Sequence, residues 1–331
     1  MNTKVLSMFA GFLILCGCST TDSQPLNPSD NIPVPTAAMS PQSINDDGAA
    51  LACEKIAFVK ANYPQNINPD IFTACDDGSQ ITKLTNDPAV DTMPAWSPDS
   101  EAIAFSSDRS GTSQIYIMDK DGDDQRQITF DNFNDWPIWL PSAKSIAFRT
   151  TDGSGLWWWR TINLENNEIQ NLSDPSYDFF YQKLAWSPDG KKIAYMSMRE
   201  QEARNDGSSQ IHIRTIEDNS NKNLTDNIWA NILPVWSPDS QSIAFLSEMA
   251  GEYNVYALYI INSDGTGLRQ LTDTIFSDVG EKFSWSSDGK AIAISDANMG
   301  KIKIIDIVSG KLSDLLITNE GEIAYWPEWQ P

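Results

Sequence analysis

A chain of 331 residues, 40% hydrophobic and 10% aromatic, has ample apolar material for a sizeable core, and its length suits two average domains or one large all-β unit. With 23 Lys and Arg against 45 Asp and Glu, the formal charge of −22 argues against nucleic-acid phosphates or anionic lipid headgroups as partners; it fits basic or metal-bearing partners, or plain solubility. One histidine is too few for a histidine-built metal cluster.

The chain opens as an export signal. Lys4 supplies a positive start, and residues 5–15 form an apolar run too short to span a bilayer. The run ends in Leu15-Cys16-Gly17-Cys18, which resembles the lipobox of bacterial lipoproteins. That resemblance implies that residues 1–18 are a lipoprotein signal peptide with Cys18 as the lipidated residue; ordinary cleavage and release is the other reading. Ser19, in place of Asp, favours an outer-membrane anchor facing the periplasm in a Gram-negative host. Residues 19–50 are polar, carry Pro25, Pro28, Pro33, Pro35 and Pro41, and contain no Lys or Arg. Such a segment buries too little apolar surface to fold. It is expected to be a disordered tether reaching about 30 Å, so that the membrane is met only through the lipid.

Residues 51–331 are expected to form the folded part. Cys53 opens the strand Cys53-Glu-Lys-Ile-Ala-Phe58 and Cys75 closes Asp70-Ile-Phe-Thr-Ala-Cys75, so a hairpin would bring them together. Export favours a disulfide there, the alternative being two unpaired buried thiols.

Beyond this hairpin the sequence repeats. Pro94-Ala-Trp96-Ser-Pro-Asp99 returns as Leu184-Ala-Trp186-Ser-Pro-Asp189, Pro234-Val-Trp236-Ser-Pro-Asp239 and Phe283-Ser-Trp285-Ser-Ser-Asp288, with weaker copies at Trp139 and Trp329. The six tryptophans stand 43, 47, 50, 49 and 44 residues apart, a period that indicates propeller blades. Each is tied to an Ile-Ala strand, beginning with Ile56-Ala-Phe58 and Ile103-Ala-Phe105, through the turn chemistry of Ser-Pro-Asp. A third strand such as Ile115-Tyr-Ile-Met118 follows, and a fourth closes on Thr85, Thr129, Ser173, Thr225, Thr272 or Thr318. The predicted fold is all-β: a six-bladed β-propeller with four strands per blade. The first repeat lacks its Trp strand, whereas the last runs on to Tyr325-Trp-Pro-Glu-Trp329. The C-terminal strand should therefore join blade 1, closing the ring and removing its open edges.

Trp-Ser-Pro-Asp-Gly/Ser, Ile-Ala-Phe, Ile-Tyr-x-Met-Asp, Asp-Gly and Gln-Leu-Thr, in this order, resemble the TolB-like propeller repeat, which is also found in prolyl-oligopeptidase-type peptidases. The resemblance spans residues 51–331 and lacks the α/β domain that precedes the propeller in TolB. It implies a binding scaffold in the cell envelope with a protein partner.

Catalytic and metal-binding patterns are sparse. There is no Gly-x-Ser-x-Gly elbow for a hydrolase nucleophile, and no residue set calls for a cofactor. His212 falls in the column of Phe72, Tyr116 and Tyr259, which makes it a substitute for a third-strand aromatic. Asp119-Lys-Asp-Gly-Asp-Asp124 places Gly122 fourth, not sixth as in an EF-hand loop, and reads as a hairpin turn, with a cation site as the alternative. Paired carboxylates acting on a glycan stay open, because their separation is not set by the sequence.

The loops leading into the innermost strands vary while the strands repeat, which is where binding is expected on a rigid scaffold. They carry Phe133, Trp136, Phe180, Tyr181, Trp229, Phe276 and Trp326 among Asp135, Asp178 and Asp278. Aromatic side chains in an acidic surround suit a protein interface or a sugar-stacking platform, and packing in the channel is the plainer alternative. A non-catalytic protein-binding role is therefore expected first, with glycan binding or a peptidase accessory role as alternatives. Within Trp157-Trp158-Trp159, Trp159 shares the column of Ile115 and should be core, while Trp157 or Trp158 could extend the same face or mark an oligomer contact.

Overall fold

The computed structural model describes residues 53–62, 68–172, 184–197, 209–250, 255–273, 279–296, 300–315, 317–319 and 321–331. All of them lie in the compact unit Ala52–Pro331. Cys18, Asp178, Phe180, Tyr181, Phe276 and Asp278 fall outside the described residues.

Six four-stranded antiparallel sheets form the blades. Blade 1 holds β1 (Lys55–Asn62), β2 (Asp70–Cys75) and β3 (Thr82–Lys83); blade 2 holds β4 (Asp91–Trp96), β5 (Ala102–Ser107), β6 (Gln114–Asp119) and β7 (Arg126–Gln127). Blade 3 runs through β8 (Phe133–Trp139), β9 (Ser145–Thr151), β10 (Trp158–Asn163) and β11 (Ile169–Asn171), and blade 4 through β12 (Leu184–Trp186), β13 (Lys192–Ser197), β14 (Gln210–Thr215) and β15 (Asn221–Asn223). Blade 5 contains β16 (Asn231–Trp236), β17 (Ser242–Ser247), β18 (Ala257–Asn262) and β19 (Arg269–Gln270). Blade 6 contains β20 (Val279–Trp285), β21 (Ala291–Asp296), β22 (Lys301–Asp306) and β23 (Leu312–Leu315). The last strand, β24 (Glu322–Trp329), is the innermost strand of blade 1 and pairs with β1 from Ile56↔Trp329 to Asn62↔Glu322. The ring closes as the displaced repeat predicts.

Each repeated residue has a definable task. The Ser of the Trp-Ser-Pro-Asp turn donates its hydroxyl to the Asp carboxylate, at 2.6 Å for Ser97–Asp99, Ser187–Asp189 and Ser237–Asp239 and 2.8 Å for Ser286–Asp288. The tryptophan joins neighbouring blades: the indoles of Trp139, Trp236 and Trp285 donate to the carbonyls of Ala95, Ala185 and Val235 at 3.0, 3.0 and 3.3 Å. The threonine after the fourth strand accepts from a third-strand amide, Thr85 from Ile71, Thr129 from Ile115, Thr225 from Ile211 and Thr272 from Leu258. The core lies between blades, as where Trp139, Ile146 and Phe148 pack on Ala95, Ala104, Ile115 and Ile117.

Cys53 and Cys75 are disulfide-bonded, with Cα atoms 5.5 Å apart. Because Cys75 pairs with Lys55, Cys53 sits just before the strand that the sequence has it open. His212 stacks on Tyr195 at 5.5 Å, as Phe72 does on Phe58 and Tyr259 on Phe245, so it takes the aromatic place expected of it. The Asp119 run is a hairpin turn: the Asp119 carboxylate accepts from the amides of Asp121 and Asp123, and Gly122 has a φ of 92°.

Candidate functional site

The innermost strands depart from regular pairing in a way the repeat does not announce. In β4, β8, β16 and β24 the residue before the proline has a positive φ: Met93 54°, Trp136 58°, Leu233 55° and Trp326 55°. A β-bulge accompanies each, with register shifts at Thr92/Ala95, Asp135/Ile138, Ile232/Val235 and opposite Ala57/Val59. Residues before proline ordinarily favour extended backbone, so this conformation depends on its surroundings. Two of the amides displaced from the ladder find a serine of the preceding blade: Trp136 donates to Ser106 Oγ at 3.2 Å and Trp326 to Ser295 Oγ at 2.8 Å.

The bulges bring Trp136 and Trp326 together, ring centroids 6.5 Å apart, although they belong to blades 3 and 1. Tyr325 meets Trp326 edge-on at 4.9 Å, and burial pushes its phenol up to about 12. On the other side, Arg149 of β9 lies 5.4 Å from the Trp136 ring and 4.3 Å from Trp157. Its guanidinium donates to both Asp135 oxygens at 2.9 and 2.7 Å, which fixes its plane. Trp157 in turn meets Phe133 edge-on at 5.6 Å. One aromatic and cationic stack thus runs from the loop face of blade 3 to the channel and across to blade 1. Phe133 and Trp157 are 39% and 36% exposed, and Phe130 and Leu156, in the same loops, are 77% and 42% exposed.

This geometry sorts the residues singled out in the sequence. Phe133 is on the surface, Trp136 is buried beside the channel, and Trp326 is half-buried against it. Asp135 is buried and paired, so its role is to hold Arg149. Trp229 is half-buried, and its carbonyl accepts from Gln210 and Asn231 in a side-chain network that fixes the blade 5 loop. Arg149 was legible only as a departure from the repeat: it stands after Ile-Ala-Phe where other blades have Val59, Ser106, Met196, Leu246 and Ser295.

Below the Trp136 level, toward the Trp-Ser-Pro-Asp turns, the channel holds a cavity of about 540 Å³. Its walls include Ala95, Ile138, Ala185 and Val235, and it extends to Pro98, Pro141, Pro188 and Pro331. Its lining contains one charged pair, Lys282 of β20 and Glu328 of β24, 3.1 Å apart. Lys282 also donates to the carbonyl of Pro94. Burial pushes the Glu328 carboxyl above its ordinary value, and the Lys282 ammonium opposes the shift. Among the described residues no three His, Cys, Asp or Glu side chains converge to hold a metal ion.

Six closed blades with an aromatic stack at one face define a β-propeller scaffold. The chain belongs to the family described as the Tricorn protease N-terminal beta propeller domain, which matches residues 47–311. Among curated proteins it is 25% identical to dipeptidyl-peptidase 5 of Porphyromonas gingivalis over 88% of this chain and 50% of that protein. It is also 26% identical to "Uncharacterized peptidase YuxL" of Bacillus subtilis over 67% of this chain and 31% of the relative. The chain thus spans at most half the length of these two relatives. TolB from Acinetobacter baumannii superposes with a TM-score of 0.71 and 22% identity, over 84% of this chain and 67% of TolB. The TolB likeness holds at the level of the fold.

Proposed function

We propose that this protein is a non-catalytic cell-envelope lipoprotein, anchored through Cys18 in the outer membrane and facing the periplasm, whose propeller captures a protein partner on the loop face of blades 2 and 3. The observation that carries this reading is the group Phe130, Phe133, Leu156 and Trp157: four exposed apolar side chains, two of them in edge-on contact and backed by a clamped arginine. Exposed apolar side chains gathered on one face mark interaction sites, and aromatic anchors supply most of the binding energy in them. Crosslinking and pull-down from intact envelopes test it. A stoichiometric partner should be captured by the native chain and lost with Phe133→Ala/Trp157→Ala, whose thermal transition stays near native; equal capture by the double variant sinks the proposal. Labelling with palmitate that persists in Cys18→Ser would remove the anchor.

A second reading is favoured by the two relatives named as peptidases: a propeller that works with a hydrolase. Recovery of a hydrolase as the captured partner, with peptide turnover by the complex, would support it over a purely structural assembly.

A further inference from the structure

The cavity on the turn side of the channel departs from its own repeat at one place. In the column before the tryptophan the blades carry Ala95, Ile138, Ala185, Val235 and Ser284, all uncharged, whereas blade 1 has Glu328. Lys282 of blade 6 reaches that carboxylate at 3.1 Å and also donates to the Pro94 carbonyl of blade 2. Both charged side chains line the cavity and keep accessible surface, 16% for Lys282 and 25% for Glu328. Burial deep enough to raise the Glu328 carboxyl means that this surface opens on the cavity and not on bulk water. An ion pair taken out of water is a poor device for stability alone, since desolvation offsets the attraction. In a pocket of about 540 Å³ with otherwise apolar walls, a few convergent polar groups are what orients a bound molecule.

The pair is not saturated. The ammonium has three donors, of which Glu328 and Pro94 take two, and the carboxylate has Lys282 as its one partner among the described residues. A donor and an acceptor therefore remain next to each other at the cavity wall. Their charges cancel, so an anionic ligand is repelled by Glu328 and a cationic one by Lys282, in surroundings that screen little. A pure hydrocarbon would strip water from the donor and the acceptor and replace it with nothing. An uncharged hydroxyl satisfies both, because its oxygen accepts from the ammonium while its hydrogen goes to the carboxylate.

We propose that this cavity binds a small, uncharged, largely apolar alcohol, its hydroxyl bridging Lys282 and Glu328 and its hydrocarbon lying against Ile138, Ala185 and Val235. The site is separate from the Phe133–Trp157 surface and does not depend on the partner reading.

Titration of the full-length protein with 4-phenylbutanol, followed by calorimetry and tryptophan fluorescence, tests the proposal. Butylbenzene, 4-phenylbutyrate and 4-phenylbutylamine are the controls: the same hydrocarbon without the hydroxyl, with a negative charge and with a positive one. The alcohol should bind saturably and at least about fivefold more tightly than any control, as one net hydrogen bond implies. In Lys282→Met/Glu328→Gln, which keeps the volume and removes both charges, the alcohol should bind no better than butylbenzene. If that variant fails to fold, Glu328→Gln alone should shift the preference from the alcohol to 4-phenylbutyrate, a change of selectivity that a pair acting only as a clamp between blades would not give. Phe133→Ala/Trp157→Ala should bind the alcohol as the native protein does. No saturable binding because the cavity holds only water, a control bound as tightly as the alcohol, or an unchanged preference in the tested variant would each overturn it.

Discussion

Ile56 and Trp329 face each other as register partners in one sheet, although they stand near opposite ends of the described chain. Their strands are also clamped where Lys60 meets Glu322 at 2.7 Å. Closure of this kind makes the ring one cooperative unit: without β24, the inner edge of β1 and the face of blade 6 are both opened. Deletion of residues 322–331 should abolish a single cooperative unfolding transition, and Trp329→Ala, at a site 5% exposed, should cost about 3–5 kcal/mol. Denaturant unfolding followed by two probes checks both. A native midpoint after the deletion would show that closure is not what holds the ring.

The Cys53–Cys75 bridge ties the start of β1 to the end of β2, across a separation of 22 residues. By the chain-entropy estimate, replacing both cysteines with serine should lower stability by about 3 kcal/mol. The measurement is the urea midpoint of the double variant against the native protein, with and without reductant. The double variant should be indifferent to reductant.

At Gly122 two constraints coincide. Its φ is 92°, and a Cβ there would stand 2.9 Å from the Leu84 carbonyl of the neighbouring blade. Gly122→Ala should therefore destabilise by about 1–3 kcal/mol, more than exchange of an exposed glycine such as Gly153 that has open space around it. Thermal melts of the two variants compare them directly.

Acid should act through the repeated turns. The Ser97 and Ser187 hydroxyls hold the Asp99 and Asp189 carboxyls below their ordinary range, and Lys290, with help from Ser286, brings Asp288 to about 2. A carboxyl depressed by folding contributes stability above its unfolded value, near about 3.9, and loses it as pH falls through the folded value. Stability should therefore drop between roughly pH 4 and pH 2. Asp91 and Glu328, raised by burial, work in the opposite sense, since their protonation relieves a buried charge. Ser97→Ala/Ser187→Ala should flatten the acid limb in urea midpoints taken from pH 5 to pH 2.5; an unchanged slope would place the acid sensitivity elsewhere.

Arg149→Lys tests the stack. Lysine retains the charge but loses the planar fork that meets Asp135 and lies against both Trp136 and Trp157. Stability should fall by about 1–2 kcal/mol, with a shift in tryptophan emission as Trp157 is released.

Much of the fold was legible because a propeller is periodic. Trp-Ser-Pro-Asp, Ile-Ala-aromatic and the closing threonine are local signals, and six spaced copies reveal both the blade count and the missing strand that β24 supplies. The disulfide was legible for a related reason, since both cysteines sit at hairpin ends. The candidate site was legible only in part. Phe133 and Trp326 carry the aromatic signal expected of a face, but nothing local distinguishes the exposed Phe133 from Trp136, which a bulge brings beside the channel. Asp135 looked like a surface acid and is a buried partner of Arg149.

What the sequence by itself determined is the set of repeated short-range tasks: which strand follows which, where each turn falls, and how many blades there are. These depend on neighbours a few residues away, so identical short motifs give identical local structure. The tertiary structure decided the meeting of residues from different blades: Trp136 with Trp326, and Lys282 with Glu328 inside an apolar channel. Those contacts arise only when the ring has closed, because closure brings non-adjacent inner strands to one axis and removes water from the charges between them.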